Sequence, residues 1–323
     1  PPAPAAQSSA LDAALFYQLL LGELNATGED PGAAFSLILD AARKTADPRL
    51  YQRAVDLALK ARSGDSALQA ARAWRQALPL SREANRYVLQ ILIGMNRLAE
   101  TAEPLKREIT NVEAKERAIA IASIPRLFAR ASDKKGAAQV VEQALAEYLI
   151  TPALGVAAWT TVGRMRMEAG DGSSALEAAR KAQALDANAE GPVLLALALM
   201  AAKQTAAEAL VKKYLDGKPQ AEVRLEYARS LIEARRYPDA ASQLDTLTSE
   251  RPEIAEAWLM RGAVALDDNR LELAETAFKR YLALVPARNS RSAASAESQG
   301  LVQAYLALAQ IAVNRRGIDT LAS

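Results

Sequence analysis

A pattern about 34 residues long, two helical segments joined by a short polar turn, recurs along this chain and limits its fold more than any other feature. The clearest copy is residues 255–286, AEAWLMRGAVALDDNRLELAETAFKRYLALVP. Trp258 and Gly262 lie in its first helix, Ala274 and Phe278 in its second, and Pro286 closes it. A lone helix pair cannot bury its own apolar face, so such copies must stack on one another. Small residues where the helices cross, Gly262 against Ala274, are expected to let the backbones approach. Trp258 and Phe278 fill the gaps beside them, and Pro286 stops the second helix and redirects the chain.

Counting outward from this copy lays the register over the rest of the chain. Sections begin at Ala14, Pro48, Arg82, Val156, Ala221 and Ala255. Residues 116–155 are longer than the repeat, and Pro125 inside their apolar pattern predicts a kinked or broken first helix followed by a second helix over about 135–149. Residues 190–220 are shorter than the repeat, and the apolar run 193–202 reads as a buried helix too short to span a membrane. After a Ser/Ala/Arg-rich connection at 288–295, a long first helix is expected over about 296–313. NRRGIDTLA then mirrors NRLELAETA of the clear copy, so a second helix is expected to start there and stop unfinished. A stacked array should end in a helix with a polar outer face, so the unfinished copy leads us to expect a piece of a longer array. Residues 1–13 are rich in Pro and Ala and lack a helical period, as in a flexible leader. The start without Met points to a removed leader or an engineered start.

Composition agrees with an all-α chain. Half of the residues are apolar but only 5% are aromatic, so Ala and Leu, both strong helix formers, must build the core. The net charge of +2 is spread without long runs of one sign, which argues against nucleic acid as partner. With no Cys and no His, the thiol nucleophile, the commonest general base and the usual zinc ligands are all missing. The acidic pairs Glu29–Asp30 and Asp267–Asp268 and the glycines at 170–172 lie at inter-helix turns and read as solvated turns and caps. No catalytic, cofactor-binding or metal-ligating residue is assigned, and no cofactor is expected. Trp74, Trp159 and Trp258 read as core residues.

From Ala14 onward the pattern resembles the tetratricopeptide repeat, which implies a right-handed superhelical solenoid of about eight helix pairs spanning residues 14–323, the last incomplete, irregular at 116–155 and 190–220. A narrower resemblance rests on FYQLLLGELNATGEDPGAAFSLILDAARKTADPRLYQRAVDLALKA at 16–61 and AARAWRQALP at 70–79. Its landmarks are DPRL at 47–50, the RAVDLAL helix and Trp74 ahead of Pro79. This stretch is similar to bacterial tetratricopeptide-repeat lipoproteins tethered to the outer membrane through a lipidated cysteine. That resemblance implies an exported adaptor, on the periplasmic side of the bacterial outer membrane, for a carboxy-terminal processing protease and the cell-wall hydrolases it removes. Any membrane attachment would use a lipid anchor that this chain does not carry. The alternative is a cytoplasmic assembly or regulatory scaffold.

The tetratricopeptide resemblance also implies a concave wall made by the second, fifth, ninth, twelfth and thirteenth positions of each unit. Among these, Leu59, Arg86, Ile93, Arg164, Met167, Leu225, Arg229, Ile232, Leu259 and Leu266 are the candidates for contact with a protein or peptide partner. The twelfth position is apolar throughout: Leu59, Ile93, Met167, Ile232 and Leu266. These residues form either an apolar strip for a peptide or the packing between neighbouring first helices. A clamp for chaperone tails would need Lys and Asn at the fifth and ninth positions. Gln52, Asp56, Arg86, Gln90, Thr160 and Arg164 stand there instead.

Overall fold

The computed structural model describes residues 12–28, 30–217, 219–285 and 296–322, with side chains of the last helix described over 299–314. The helices run in consecutive pairs. They are α1 (Ala13–Thr27) with α2 (Pro31–Thr45), α3 (Pro48–Lys60) with α4 (Gly64–Ala77), and α5 (Arg82–Gly94) with α6 (Ala102–Thr110). Then come α7 (Arg117–Leu127) with α8 (Lys134–Leu149), α9 (Gly155–Glu168) with α10 (Gly172–Leu185), and α11 (Glu190–Ala201) with α12 (Glu208–Leu215). Last are α13 (Ala221–Glu233) with α14 (Tyr237–Glu250), α15 (Ala255–Asp267) with α16 (Leu271–Leu284), and α17 (Ala296–Ala322) by itself. The fold is all-α, with no strand among the described residues. Packing groups the chain into two compact units, residues 1–178 and 179–323. Most of the leader expected at 1–13, together with Glu29, Pro286 and the connection at 288–295, lies outside the described residues. Asp12 already caps α1, its carboxylate accepting from the Leu15 N–H at 2.6 Å.

Six of the eight first helices end in the same backbone motif. One residue after each enters the left-handed region: Arg62, Asn96, Gly170, Lys203, Arg235 and Asn269, at φ between +56° and +81°. Its N–H bonds back to the carbonyl three residues earlier, and the next N–H reaches the carbonyl five earlier. The first example is Arg62 to Leu59 at 3.0 Å with Ser63 to Ala58 at 2.9 Å; the last is Asn269 to Leu266 at 3.0 Å with Arg270 to Ala265 at 2.8 Å. The paired bonds satisfy carbonyls that the helix end leaves unpaired and turn the chain towards the second helix.

Within pairs, small residues set the approach. A Cβ on Gly262 would meet the ring of Phe278 at 2.8–2.9 Å, so the partner of this glycine is Phe278, not the expected Ala274. Ala274 lies one turn before Phe278, in the same buried cluster as Ala265. Trp74 is wholly buried between Tyr51, stacked at 6.4 Å between centroids, and Tyr87 at 5.4 Å. Trp159 and Trp258 are half-buried and donate their indole N–H to backbone carbonyls ahead of their pair, Leu149 at the end of α8 at 3.1 Å and Pro252 in the turn after α14 at 2.9 Å.

The irregular sections are held differently. Pro125 falls inside the last turn of α7, which ends at Leu127 without bridging to α8. A proline there has no N–H to offer the carbonyl of Ile121. The buried hydroxyl of Thr161 on α9 donates to that carbonyl at 3.1 Å, tying two first helices together through the bond the proline leaves open. The ammonium of Lys134 caps the same helix end by donating to the carbonyls of Phe128 and Ala129 at 3.1 and 2.7 Å. The missing length at 190–220 falls in α12, eight residues long and entered through a 3-10 turn at Thr205–Ala207, while α11 buries Val193, Leu195, Ala196, Leu197 and Leu199 as its apolar run requires. The carboxylate of Glu208 anchors this short helix by accepting from Tyr227 Oη at 2.7 Å, Lys212 Nζ at 3.1 Å and Arg236 Nη1 at 2.8 Å.

At the far end α17 runs unbroken to Ala322, where a stop near Val313 and a new helix were expected. NRRGID contains no proline, and a lone glycine such as Gly317 costs a helix only about 1 kcal/mol, too little to force a break.

Candidate functional site

The residues expected on the wall occupy several environments. Leu59 is exposed (47%), at the end of α3. Ile93 and Leu225 are buried within the packing of their helix pairs, and Ile232, Leu259 and Leu266 are half-buried against it. Met167 is half-buried at the end of α9. All five apolar twelfth positions serve as carbonyl acceptors in the helix-end motif, receiving the N–H of Arg62, Asn96, Gly170, Arg235 and Asn269 at 2.9–3.0 Å. The side chains of Ile93, Ile232 and Leu266 at this position also pack on the core, whereas that of Leu59 is exposed.

The charged candidates divide. Arg86 donates to Glu108 Oε1 at 2.9 Å, a carboxylate that is itself buried and also bonded by Asn85. Arg229 bridges successive first helices by pairing with Glu256 of α15 at 2.6 Å, and it also pairs with Glu226 of its own helix. Gln52 on α3 makes a similar link, donating to Tyr87 Oη on α5 at 2.9 Å. Arg164 is half-buried and has no ion-pair partner among the described residues.

One groove in unit 179–323 offers room for a ligand. It encloses about 960 Å³ between α15 and α17, over Phe278. Ala263, Leu266 and Asp267 form one side, at the ninth, twelfth and thirteenth positions of their unit. Gln299, Gln303 and Gln310 form an amide row on α17, with Val302 and Leu306 beside them. Helix α17 sits this close because Gly300 leaves no side chain between it and Tyr281 and Leu259. Of the ten residues singled out from the sequence, only Leu266 lines this groove. The α17 residues escaped because the count by units stopped at α15. Their signal was the uncharged stretch 298–314, in a chain where 24% of residues are charged.

Asp267 is the sole carboxylate of the groove and Tyr305 its sole phenol, and the rest of its lining is amide, aliphatic and the ring of Phe278. A second cleft, of about 560 Å³, lies where Lys135, Glu142, Arg166 and Asp171 converge. The Arg166 guanidinium is already held there by Glu142 at 2.6 Å and the Ser174 carbonyl at 3.2 Å, so it braces the turn. Among the described residues no acidic cluster could hold a metal ion, and no helix is long and apolar enough to cross a membrane.

Comparison with known proteins bears on the fold. The family profile described as tetratricopeptide repeat matches residues 225–289, from within α13 past the end of α16. This segment carries tetratricopeptide repeats. The match takes in Gly262, Ala274 and Phe278, the residues on which the register was built. No curated protein sequence matches the chain. Among solved structures, a tetratricopeptide repeat protein from Parabacteroides merdae is similar at 13% identity, covering 79% of this chain and 97% of that one, with a TM-score of 0.36. PilW, described as a widely conserved type IV pilus biogenesis factor, is similar at 18% identity, covering 76% of this chain and 98% of that one, with a TM-score of 0.28.

Proposed function

We propose that this chain is a non-enzymatic scaffold that holds a protein segment in the groove between α15 and α17, and that it works as an adaptor at the bacterial cell envelope, presenting substrates to a processing protease. The observation that carries the binding role is the make-up of the groove. An amide side chain both donates and accepts, so Gln299, Gln303 and Gln310 can follow the backbone of a bound segment whatever its sequence. Leu266, Val302 and Leu306 supply apolar anchor points, and Asp267 selects a basic residue at one end.

The envelope role rests on the resemblance at 16–79. Its DPRL element has a structural task here: Asp47 caps α3 through the Arg49 N–H at 2.9 Å and pairs with the Arg49 guanidinium at 2.8 Å, while Pro48 starts the helix.

A photo-crosslinking residue at Gln303 tests both parts. Crosslinking to an envelope protein that Asp267→Lys weakens is the expected result. Crosslinks that Asp267→Lys leaves unchanged would remove the groove from the proposal, and crosslinks to cytosolic proteins alone would remove the envelope role.

A further inference from the structure

The second helices of unit 1–178 carry guanidinium groups in excess of the carboxylates that neutralise them. A cleft of about 340 Å³ lies between the end of α2 and the exposed face of α4, with Arg97 of the turn after α5 at its side. Arg43, Arg72 and Arg97 line it against a single carboxylate, Asp65, on which Arg97 closes at 3.2 Å. Leu68 and Ala73 supply its apolar lining. Gln69 and Gln76 complete it, and neither amide has a hydrogen-bond partner among the described residues. Arg43 has no ion-pair partner among them either, since Asp40, one turn before it, is taken by Lys44 at 2.7 Å and Gln18 at 2.9 Å. Arg72 and Arg97 share Glu100, which accepts from each at 2.6 Å from outside the cleft lining. One turn along α4, Arg75 shares Glu103 with Arg107. Five guanidiniums, Arg43 among them, thus stand against three carboxylates, Asp65, Glu100 and Glu103. The surplus is felt at Arg75, where burial, followed by the like charges of Arg107 and Arg72, lowers the guanidinium pKa against the pull of Glu103.

The geometry points to this cleft as a second binding site, for an acidic segment of a partner protein lying extended along α4. Gln69 and Gln76 are separated by two helical turns, about 10 Å, and three residues of an extended chain also span about 10 Å. Both amides can therefore bond the backbone of one segment, while Asp or Glu side chains between those bonds meet Arg43 and Arg72. Each guanidinium offers a carboxylate two parallel N–H bonds. Glu100 already holds Arg72 and Arg97 in place, so they lose little freedom when the ligand arrives. Two other clefts of the same unit show the contrast. The one on the far side of Arg97, about 410 Å³, adds Glu100 and Asp133 to its lining and no second cation. The one at Arg166 balances Lys135 and Arg166 with Glu142 and Asp171. The site is also distinct from the groove between α15 and α17, where Asp267 favours the opposite charge.

Fluorescence anisotropy of the whole chain with a short rhodamine-labelled peptide alternating Glu and Ser tests the site. Saturable binding at low salt is expected, falling as salt is raised. Arg43→Glu should weaken it by about tenfold or more. Arg43 is exposed and makes no ion pair among the described residues, and an unchanged far-UV circular dichroism spectrum checks that the variant folds. Changing Gln69 and Gln76 together to Ala should weaken binding by a smaller factor, and no change there overturns the extended pose along α4. Asp267→Lys should leave the affinity as it is. A shift with Asp267→Lys would place the peptide in the other groove and overturn the proposal. So would equal binding of the peptide with Gln in place of Glu, binding that Arg43→Glu leaves intact, or no saturable binding at low salt. Inorganic phosphate that competes as well as the unlabelled peptide would show a site for small anions and overturn the protein segment as its occupant.

Discussion

The pairs α15–α16 and α7–α8 solve the same problem by different means. In α15–α16 the turn is a backbone motif found in six pairs, and a glycine faces an aromatic ring across the helix crossing. In α7–α8 the left-handed turn residue is missing, a proline occupies the last turn, and single side chains do the joining: Thr161 to the Ile121 carbonyl, and Lys134 to the end of α7. The short pair α11–α12 keeps the left-handed turn, at Lys203, but like α7–α8 also relies on a single side chain, since Glu208 fixes α12 to Tyr227 and Arg236 of the next pair. Where the repeat is regular, stability comes from packing and backbone bonds that many sequences can supply. Where it lapses, stability depends on a few polar bonds made by single side chains, and the buried one, Thr161 to the Ile121 carbonyl, is costly to lose because its partner then stays unsatisfied.

The largest expected effect belongs to the regular pair. Phe278 is buried against Gly262, and Phe278→Ala should cost about 3–5 kcal/mol in urea unfolding. Gly262→Ala pushes a methyl group into the ring and should cost about 1–3 kcal/mol. Combining Gly262→Ala with Phe278→Leu should cost less than the sum of the two single changes. Strict additivity would show that the glycine is not kept for the ring.

The irregular side is probed next at Glu208. Chiefly the Arg236 hydrogen bond, with smaller help from Tyr227 and Lys212, holds this carboxyl down at about 2, against an ordinary value of 4.5. A lowered carboxyl pKa adds stability that is complete above 4.5 and is lost as the pH falls towards 2. Glu208→Gln should therefore cost about 2 kcal/mol at neutral pH, with the gap from wild type closing between about pH 4.5 and pH 2. A gap that stays constant through that window would mean that charge has no part in the joint.

What the sequence disclosed follows the same division. The repeat period, the buried run of α11 and the disturbance at Pro125 were legible because each rests on local pattern: helix period, apolar content, a missing N–H. The recurring turns were only half legible. Gly170 declares itself, but Arg62, Lys203 and Arg235 adopt the same left-handed turn with side chains that give no sign of it. The Gly262 contact was one turn off, since spacing alone does not tell Ala274 from Phe278. The link from Thr161 to Ile121 spans 40 residues and was hidden, because nothing in either segment names the other. At the groove, Leu266 and Asp267 could be counted out from the register, whereas the α17 side needed the tertiary approach that Gly300 permits.

A smaller effect separates proline from threonine within α7–α9. Thr161→Val keeps the shape but strands the buried Ile121 carbonyl, for an expected loss of about 1–2 kcal/mol. Pro125→Ala restores an N–H four residues along, which can take that carbonyl over. In the Pro125→Ala background Thr161→Val should then cost markedly less. Equal costs in both backgrounds would show that the hydroxyl is not substituting for the missing helix bond.

The smallest effect concerns the shared turns. No atom lies within 4 Å of a Cβ built on Gly170, so Gly170→Ala meets no steric neighbour and its cost reports the left-handed φ alone, about 1 kcal/mol. Lys203 occupies the equivalent turn at φ +66° with a side chain attached, and Lys203→Gly should gain a similar amount or slightly less, since glycine also loses more freedom on folding. The two substitutions should thus shift the urea midpoint in opposite directions. The sign carries the argument. If glycine at 203 destabilises, then the turn after α11 is not interchangeable with the turn after α9, and the backbone motif shared by six pairs is held by different forces in each.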